Sequence, residues 1–392
     1  MAKKLGIAVV GLGGAVGTTM VAGIELLKKG LIAHEGLPLA ELSTDGLADY
    51  TDIVFAGWDL FGEHLANAAK EHDVLSHKQF VAVEEALRSV KPWPAIGNDN
   101  FLSNIDGENR STETSHRANI AKLRNDLARF CETVDSVVVI NLASTEKLAV
   151  EGNEIFNSLS SFDAALDANS ADISPAMLYA YAAIAERMPY GNFTPSVAAD
   201  IPALIEFAEN TKVPVAGKDG KTGQTFIKSV LAPAFRSRAL RVMGWFSTNI
   251  LGNRDGLALS NSDSLASKIK TKSSLLDDIL GYAVEDHIVD IRYYRPRGDN
   301  KEAWDNIDIT GFLGEKMQIK VNFLCKDSIL AAPLAIEIAR CLDLAADRGE
   351  FGIQEQLSVF FKLPMSGGEM IEQAFHKQEN ILLEWLSRDK NR

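Results

Sequence analysis

Cysteine is scarce in this chain: three residues in 392, Cys131, Cys325 and Cys341, widely spaced and with no Cys-x-x-Cys pair. That usage excludes a disulfide framework and a zinc-finger site, and it points to a reducing compartment. Basic residues are in deficit as well, since 40 Lys and Arg against 53 Asp and Glu leave a net charge of -13. Such a balance argues against general nucleic-acid binding, although an acidic protein can still hold a local basic pocket. Long uncharged runs are missing except for one, Leu5 to Ile24, behind Lys3-Lys4. It superficially suits a signal peptide or a membrane span. Gly6, Gly11, Gly13, Gly14, Gly17 and Gly23 fall within it, however, and that much glycine suits a strand–turn–helix far better. Neither an internal repeat nor a low-complexity tract is present. What remains is a globular chain, 46% hydrophobic, with material for two or three domains. It is expected in the cytoplasm, with no membrane and no nucleic-acid partner.

Gly6 to Val10 is a short apolar run that ends in Gly11-Leu12-Gly13-Gly14-Ala15-Val16-Gly17, followed by an amphipathic stretch to Lys29. The pattern reads as a buried parallel strand, a glycine turn and a helix, with the spacing of a dinucleotide-binding turn. Glycines there let the backbone approach a pyrophosphate at the helix N-terminus. A glycine-rich turn without a ligand is the bland alternative. A second strand, Asp52 to Asp59, ends in the carboxylate expected to bind ribose hydroxyls, which would select NAD over NADP. Asp59 could instead cap the helix that follows, and an insertion (31–50) separates it from the first helix. Helices are expected over 62–92, 117–134, 174–188, 199–209, 328–346 and 369–388, and a buried strand over Ser136 to Leu142. Ala143, Ser144 and Thr145, at the carboxyl end of that strand, are candidate cofactor contacts, with a helix N-cap at Ser144 or Thr145 as the alternative. From Phe226 onward the chain reads as a smaller mixed domain, with strands near 239–249, 284–294 and 317–324.

The densest polar chemistry lies between Gly217 and Asp278. Gly217-Lys218-Asp219-Gly220-Lys221-Thr222-Gly223-Gln224-Thr225 opens it, Leu251-Gly252-Asn253-Arg254-Asp255-Gly256 follows, and Ser267-Lys268-Ile269-Lys270-Thr271-Lys272 comes last. Backbone N–H donors, hydroxyls and ammonium groups suit phosphate oxygens, and carboxylates accept protons. Lys268 and Lys272, four apart, would share a helix face, where like charges repel unless an anion lies between them. Taken singly, each has a bland reading: a solvated lysine face, a turn aspartate at Asp255, a loop lysine at Lys362.

Together these stretches resemble the myo-inositol-1-phosphate synthase family along nearly the whole length. They include the glycine turn with Thr18-Thr19, Gly57-Trp58-Asp59, residues 142–146, Lys221 to Thr225 and Leu251-Gly252-Asn253 with Asp255-Gly256. Ser267-Lys268 with Lys272-Ser273, Cys325 with Asp327 to Leu334, and Lys362-Leu363-Pro364 complete the set. The resemblance implies an α/β fold: a Rossmann-like NAD-binding domain (1–225 and 331–392) with an inserted α+β catalytic and tetramerisation domain (226–330). It implies NAD-dependent isomerisation of D-glucose 6-phosphate to 1L-myo-inositol 1-phosphate by oxidation at C5, enolisation, intramolecular aldol closure and re-reduction. A sugar-phosphate dehydrogenase or a non-catalytic NAD-binding sensor would be the alternatives. Carried over residue by residue, Lys268, Lys301, Lys362, Asp219, Asp255 and Asp327 would be catalytic. Thr222, Gly223, Gln224, Thr225 and Lys272 would hold the phosphate, while Gly11, Gly13, Gly14, Ala15, Val16, Gly17, Asp59, Ala143, Ser144 and Thr145 would hold NAD. A homotetramer is implied, and a metal requirement is left open. The chain departs from the family pattern at Ala15-Val16, where Asn-Asn is common, and at Lys218, Arg254 and Lys326, which add positive charge near the pocket.

Overall fold

The structure is a computed structural model that describes residues 3–42, 44–102, 105, 107–147, 152–252, 275–368 and 372–388. Leu5–Val10 forms β1, buried at every position, as a run of apolar residues must be when a strand is covered on both faces. It pairs in parallel with β2 (Ile53–Asp59) on one side and with β4 (Ser136–Asn141) on the other, Ile7 opposite Phe55 and Val138. With β3 (Trp93–Pro94), β5 (Tyr190–Asn192), β6 (Pro214–Gly217) and β11 (Gly352–Ile353), these strands make a seven-stranded sheet in the order β11-β6-β5-β4-β1-β2-β3.

Alternate residues of β1 feed two cores. Ile7 and Val9 pack under the helices Ala15–Lys28, Asp327–Asp347 and Phe375–Leu386, whereas Ala8 and Val10 pack under His116–Cys131, Leu159–Asp167, Pro175–Ala185 and Pro202–Thr211. The sheet is therefore doubly wound, and the strand order reverses between β1 and β4, where a parallel sheet opens a crevice beyond its carboxyl ends.

The second sheet has the order β10-β9-β7-β8, from β7 (Arg241–Leu251), β8 (Asp286–Tyr293), β9 (Asn300–Thr310) and β10 (Lys316–Lys326). One face of β7 packs through Val242 and Trp245 on Ala232 and Phe235 of the helix Gly223–Ser237, and on Leu276 and Ile279. The chain passes from the first sheet to the second along Gly223–Ser237 and returns along Asp327–Asp347. The division at 225/226 and 330/331 runs through these two helices. Among the described residues, no helix is long and apolar enough to cross a membrane.

The β1–β2 contact depends on Gly57. A Cβ there would lie 2.0 Å from the Val9 carbonyl oxygen and 2.6 Å from its nitrogen, so the strands could not keep their spacing. Gly57→Ala is expected to destabilise the fold by roughly 3 kcal/mol or more, the scale of severe overpacking. Thermal unfolding checks it, and an unchanged melting temperature contradicts the packing described.

Candidate active site

The glycine turn sits where β1 ends. Gly11 has φ +86, and a Cβ on it would meet the Ala143 backbone at 3.1 Å, across the crevice between β1 and β4. At Gly17 a Cβ would lie 2.4 Å from the Leu12 carbonyl oxygen. Gly14 caps the helix Ala15–Lys28 without any side-chain hydrogen bond, which leaves the helix N-terminus facing the crevice. Gly13 donates its N–H to Oδ2 of Asp59 at 2.8 Å, and Phe61 donates to Oδ1 at 3.0 Å. Asp59 thus fastens the turn and caps its own loop while bordering the cleft. Ala15, Val16, Ala143, Ser144 and Thr145 line the same space. No helix starts within 142–147, so Ser144 and Thr145 are not N-caps there. A glycine turn packed too closely for side chains at Gly11 and Gly17, opening on the crevice at a helix N-terminus, fits a pyrophosphate.

The opposite wall carries charge. Lys362 donates to Oδ1 of Asp219 at 2.6 Å, with both side chains nearly inaccessible. The other oxygen, Asp219 Oδ2, is buried without a hydrogen-bond partner. Lys301, reaching from β9, donates to Oδ1 of Asp327 at 3.1 Å, and the Thr222 hydroxyl lies 3.5 Å from the same oxygen. Thr222 is the N-cap of the helix Gly223–Ser237 and makes no capping hydrogen bond through its side chain. A second helix N-terminus is thereby presented beside the lysines. Gly223, at φ +55, lies 3.6 Å from Lys301 Nζ when a Cβ is built on it.

The Gln224 side chain is turned elsewhere. Its amide donates to the carbonyls of Thr248 (3.0 Å) and Trp304 (3.3 Å) and accepts from Asn249, so it ties the helix to the second sheet. What Gln224 can offer a phosphate is its backbone N–H. Thr225 is buried beside it. Asp255, Lys268 and Lys272, together with Arg254, lie outside the described residues. Among the described residues no group of three or more His, Cys, Asp or Glu gathers as a metal site would.

Both walls belong to one cleft of about 1660 Å³, counting the solvent at its mouth, lined by Gly11, Gly14, Asp219, Lys301, Asp327 and Lys362 among others. A model of the NAD-binding family described as myo-inositol-1-phosphate synthase matches residues 38–387. Inositol-3-phosphate synthase 1 of Bacteroides thetaiotaomicron is 43% identical, over 92% of this chain and 90% of that protein. The chain belongs to the myo-inositol-1-phosphate synthase family. The inositol-3-phosphate synthase of Saccharomyces cerevisiae is 29% identical, over 86% of this chain and 72% of its own length. A solved inositol-3-phosphate synthase from Caenorhabditis elegans superposes with a TM-score of 0.91 at 26% identity, covering 99% of this chain and 86% of that one. The expected fold, a parallel NAD-binding sheet with a second mixed sheet, is confirmed. NAD is the cofactor of the family, and the glycine cradle fits it.

Two departures from the family pattern find partners away from the cleft. Lys218 pairs with Asp200 at 2.5 Å, and Lys326 donates to the carbonyls of Asp73 (2.9 Å) and Val74 (2.6 Å), which tether the end of the helix Leu65–His72. They act as ties between elements rather than as pocket charges.

Some cleft residues escaped the sequence reading. His72 Nε2 lies 2.9 Å from the Gly13 carbonyl oxygen. Glu146, buried at the N-terminus of the helix Pro175–Ala185, accepts from the Ala176 N–H at 3.0 Å. Burial pushes its carboxyl up to about 7 against the pull of its hydrogen bonds to Ser174 and Ala176. Because the folded value lies above the unfolded one, the stability Glu146 contributes is complete below about pH 4.5 and is lost as pH rises through about 7. Denaturant unfolding at pH 5 and pH 8 is expected to show a decline of roughly 3 kcal/mol that Glu146→Gln lacks. Parallel pH dependences for the two proteins would contradict this placement.

Proposed function

We propose that the chain converts D-glucose 6-phosphate into 1L-myo-inositol 1-phosphate, as an isomerase that returns its NAD to the starting state in each turnover. The observation that supports it most is the shared cleft, which sets a dinucleotide cradle against two lysine–aspartate pairs and a second helix N-terminus. The glycine turn would hold NAD, which would supply a reversible two-electron acceptor for oxidation of the sugar at C5. Every other requirement falls on side chains. Oxidation at C5 needs a base for the hydroxyl proton, and the ketone formed makes the C6 protons acidic. Enolisation then needs a cation beside the enolate oxygen. C6 attacks the C1 aldehyde, and the alkoxide formed takes up a proton.

Lys301 and Lys362 are the ammonium groups that the described residues bring to this wall, each oriented by a carboxylate. Lys268, with Asp255, would complete the set. The phosphate takes the backbone N–H groups of Gly223, Gln224 and Thr225 and the hydroxyl of Thr222, together with Lys272. Asp219, with one oxygen engaged by Lys362 and the other unpartnered, is suited to receive a substrate hydroxyl. On the cofactor side Asp59 would take the ribose, and Ala143, Ser144 and Thr145, which line the same cleft, would hold the dinucleotide. In this reading residues up to about 225, with those from 331 onward, bind NAD, and the segment between them carries catalysis and assembly.

A homotetramer built through the second sheet is part of the same reading. Phe246 and Ile288, opposite each other in register, both stand on its exposed face, and the Trp304 ring meets Phe246 at 5.9 Å. A cytoplasmic location accords with three free cysteines.

Incubation with glucose 6-phosphate and NAD is expected to yield inositol phosphate with no accumulation of NADH. Steady NADH release would show a dehydrogenase instead. Lys301→Ala is expected to lower kcat about 100-fold or more while NAD affinity holds within about twofold. Near-normal turnover in that variant removes Lys301 from the mechanism.

A further inference from the structure

Lys221 precedes the phosphate cradle, and none of the chemistry above uses it. It is 3% exposed, and its ammonium donates to one side chain, the Oε1 of Gln378 in the C-terminal helix Phe375–Leu386. Gln378 is fully buried and is itself held by donating to the Glu372 carbonyl at 2.6 Å. The Lys221 backbone N–H donates to the Phe360 carbonyl at 2.7 Å, and one turn into the next helix the Phe226 ring meets Phe375 edge-on at 5.1 Å. The turn before the helix Gly223–Ser237 is therefore clasped from one side by the C-terminal segment.

The charges around this clasp are unusual. Among the described residues no carboxylate pairs with Lys221, because the acids on the neighbouring elements are engaged elsewhere. Asp219 holds Lys362, Glu372 holds Lys377, and Glu355 accepts from the Gly367 N–H. Within the next helix, Lys228 turns the other way, onto His287. A buried ammonium without a counterion is costly, and placing it beside the positive end of a helix adds to that cost. Both costs fall when an anion occupies the helix N-terminus. Burial alone lowers the proton affinity of Lys221, to about 7, so its charge can respond to such an anion near neutral pH.

We infer that Lys221 is a positioning residue for the sugar phosphate: clamped by Gln378, it fixes the turn 219–222 and directs positive potential toward the helix N-terminus where the phosphate binds. The inference rests on the phosphate site proposed above and adds the C-terminal helix to the binding machinery. In this arrangement Lys221 does not touch the substrate. Its ammonium acts through the turn and through the field, and the bound phosphate in return holds the proton on Lys221.

Sulfate is a suitable probe, since its charge does not change across the neutral range. Calorimetric titration of the NAD-bound protein with sulfate is expected to show affinity falling severalfold between about pH 6 and pH 8, as Lys221 loses its proton. Lys221→Met removes that step and raises the KM for glucose 6-phosphate about tenfold, with kcat within about threefold and NAD affinity unchanged. Gln378→Glu keeps both partners and supplies a carboxylate, so the step moves to higher pH. It decides the matter if Lys221→Met does not fold. A step at the same pH in wild type and Gln378→Glu, or an unchanged KM in Lys221→Met, overturns the inference, as does a loss confined to kcat and melting temperature. Failure of the wild type to form inositol phosphate would sink the proposed reaction instead, while the sulfate titration would still judge the clasp.

Discussion

Two lysine–aspartate pairs, one buried (Lys362–Asp219) and one partly buried (Lys301–Asp327), hold the cleft together. Lys362 and Asp219 join the segment after residue 360 to the loop after β6, and Lys301 and Asp327 join β9 to the start of the helix that leads back to the first sheet. Neither pair is an obvious source of stability, because desolvating two charges consumes most of what their attraction returns. Their consequence is placement. Removing one partner strands the other in a nearly dry wall, so the loops that carry them cannot move independently. Four stretches of chain, around Asp219, Lys301, Asp327 and Lys362, meet there.

That constraint explains how an acidic protein hosts an anionic substrate. The chain carries a net charge of -13 and its cleft is itself lined by Asp59, Glu146, Asp219 and Asp327, but the same wall places ammonium groups and two helix N-termini inward. The added lysines of this chain follow the same logic in reverse. Lys218 and Lys326 point away from the cleft and are consumed as ties, by Asp200 and by the carbonyls that end a helix. Their positive charge therefore leaves the cationic lining of the cleft to Lys301, Lys362 and Arg110 among the described residues.

Much of the fold was legible in the sequence because its signals are periodic. The continuous apolar runs of β1 and β4 read as strands covered on both faces, and the alternation over 317–324 extends through β10. The helix over 327–347 was apolar on most faces because it lies against the centre of the sheet. Short strands carry no period: β5, β6 and β11 span two to four residues and are strands only because neighbours pair with them. The site divides similarly. Glycines around Gly11 and Gly17 announce themselves, since close backbone approach leaves no alternative. The engagement of the Gln224 side chain could not be read from the sequence, because its carbonyl partners, Thr248 and Trp304, belong to strands far along the chain. Glu146 and Lys221 stand within stretches that carry the resemblance but received no role of their own, because burial, which shifts both, is a property of the folded chain.

The central claim is that one cleft holds the dinucleotide and the sugar phosphate together, with the lysine–aspartate pairs between them. A crystal structure of the protein with NAD and glucitol 6-phosphate, which lacks the C1 aldehyde needed for ring closure, tests it most directly. The pyrophosphate is predicted over Gly11 to Gly17, and the sugar phosphate against the N–H groups of Gly223 to Thr225, with Lys301 and Lys362 reaching the sugar. A phosphate bound outside this cleft, or a sugar beyond reach of both lysines, would contradict the account.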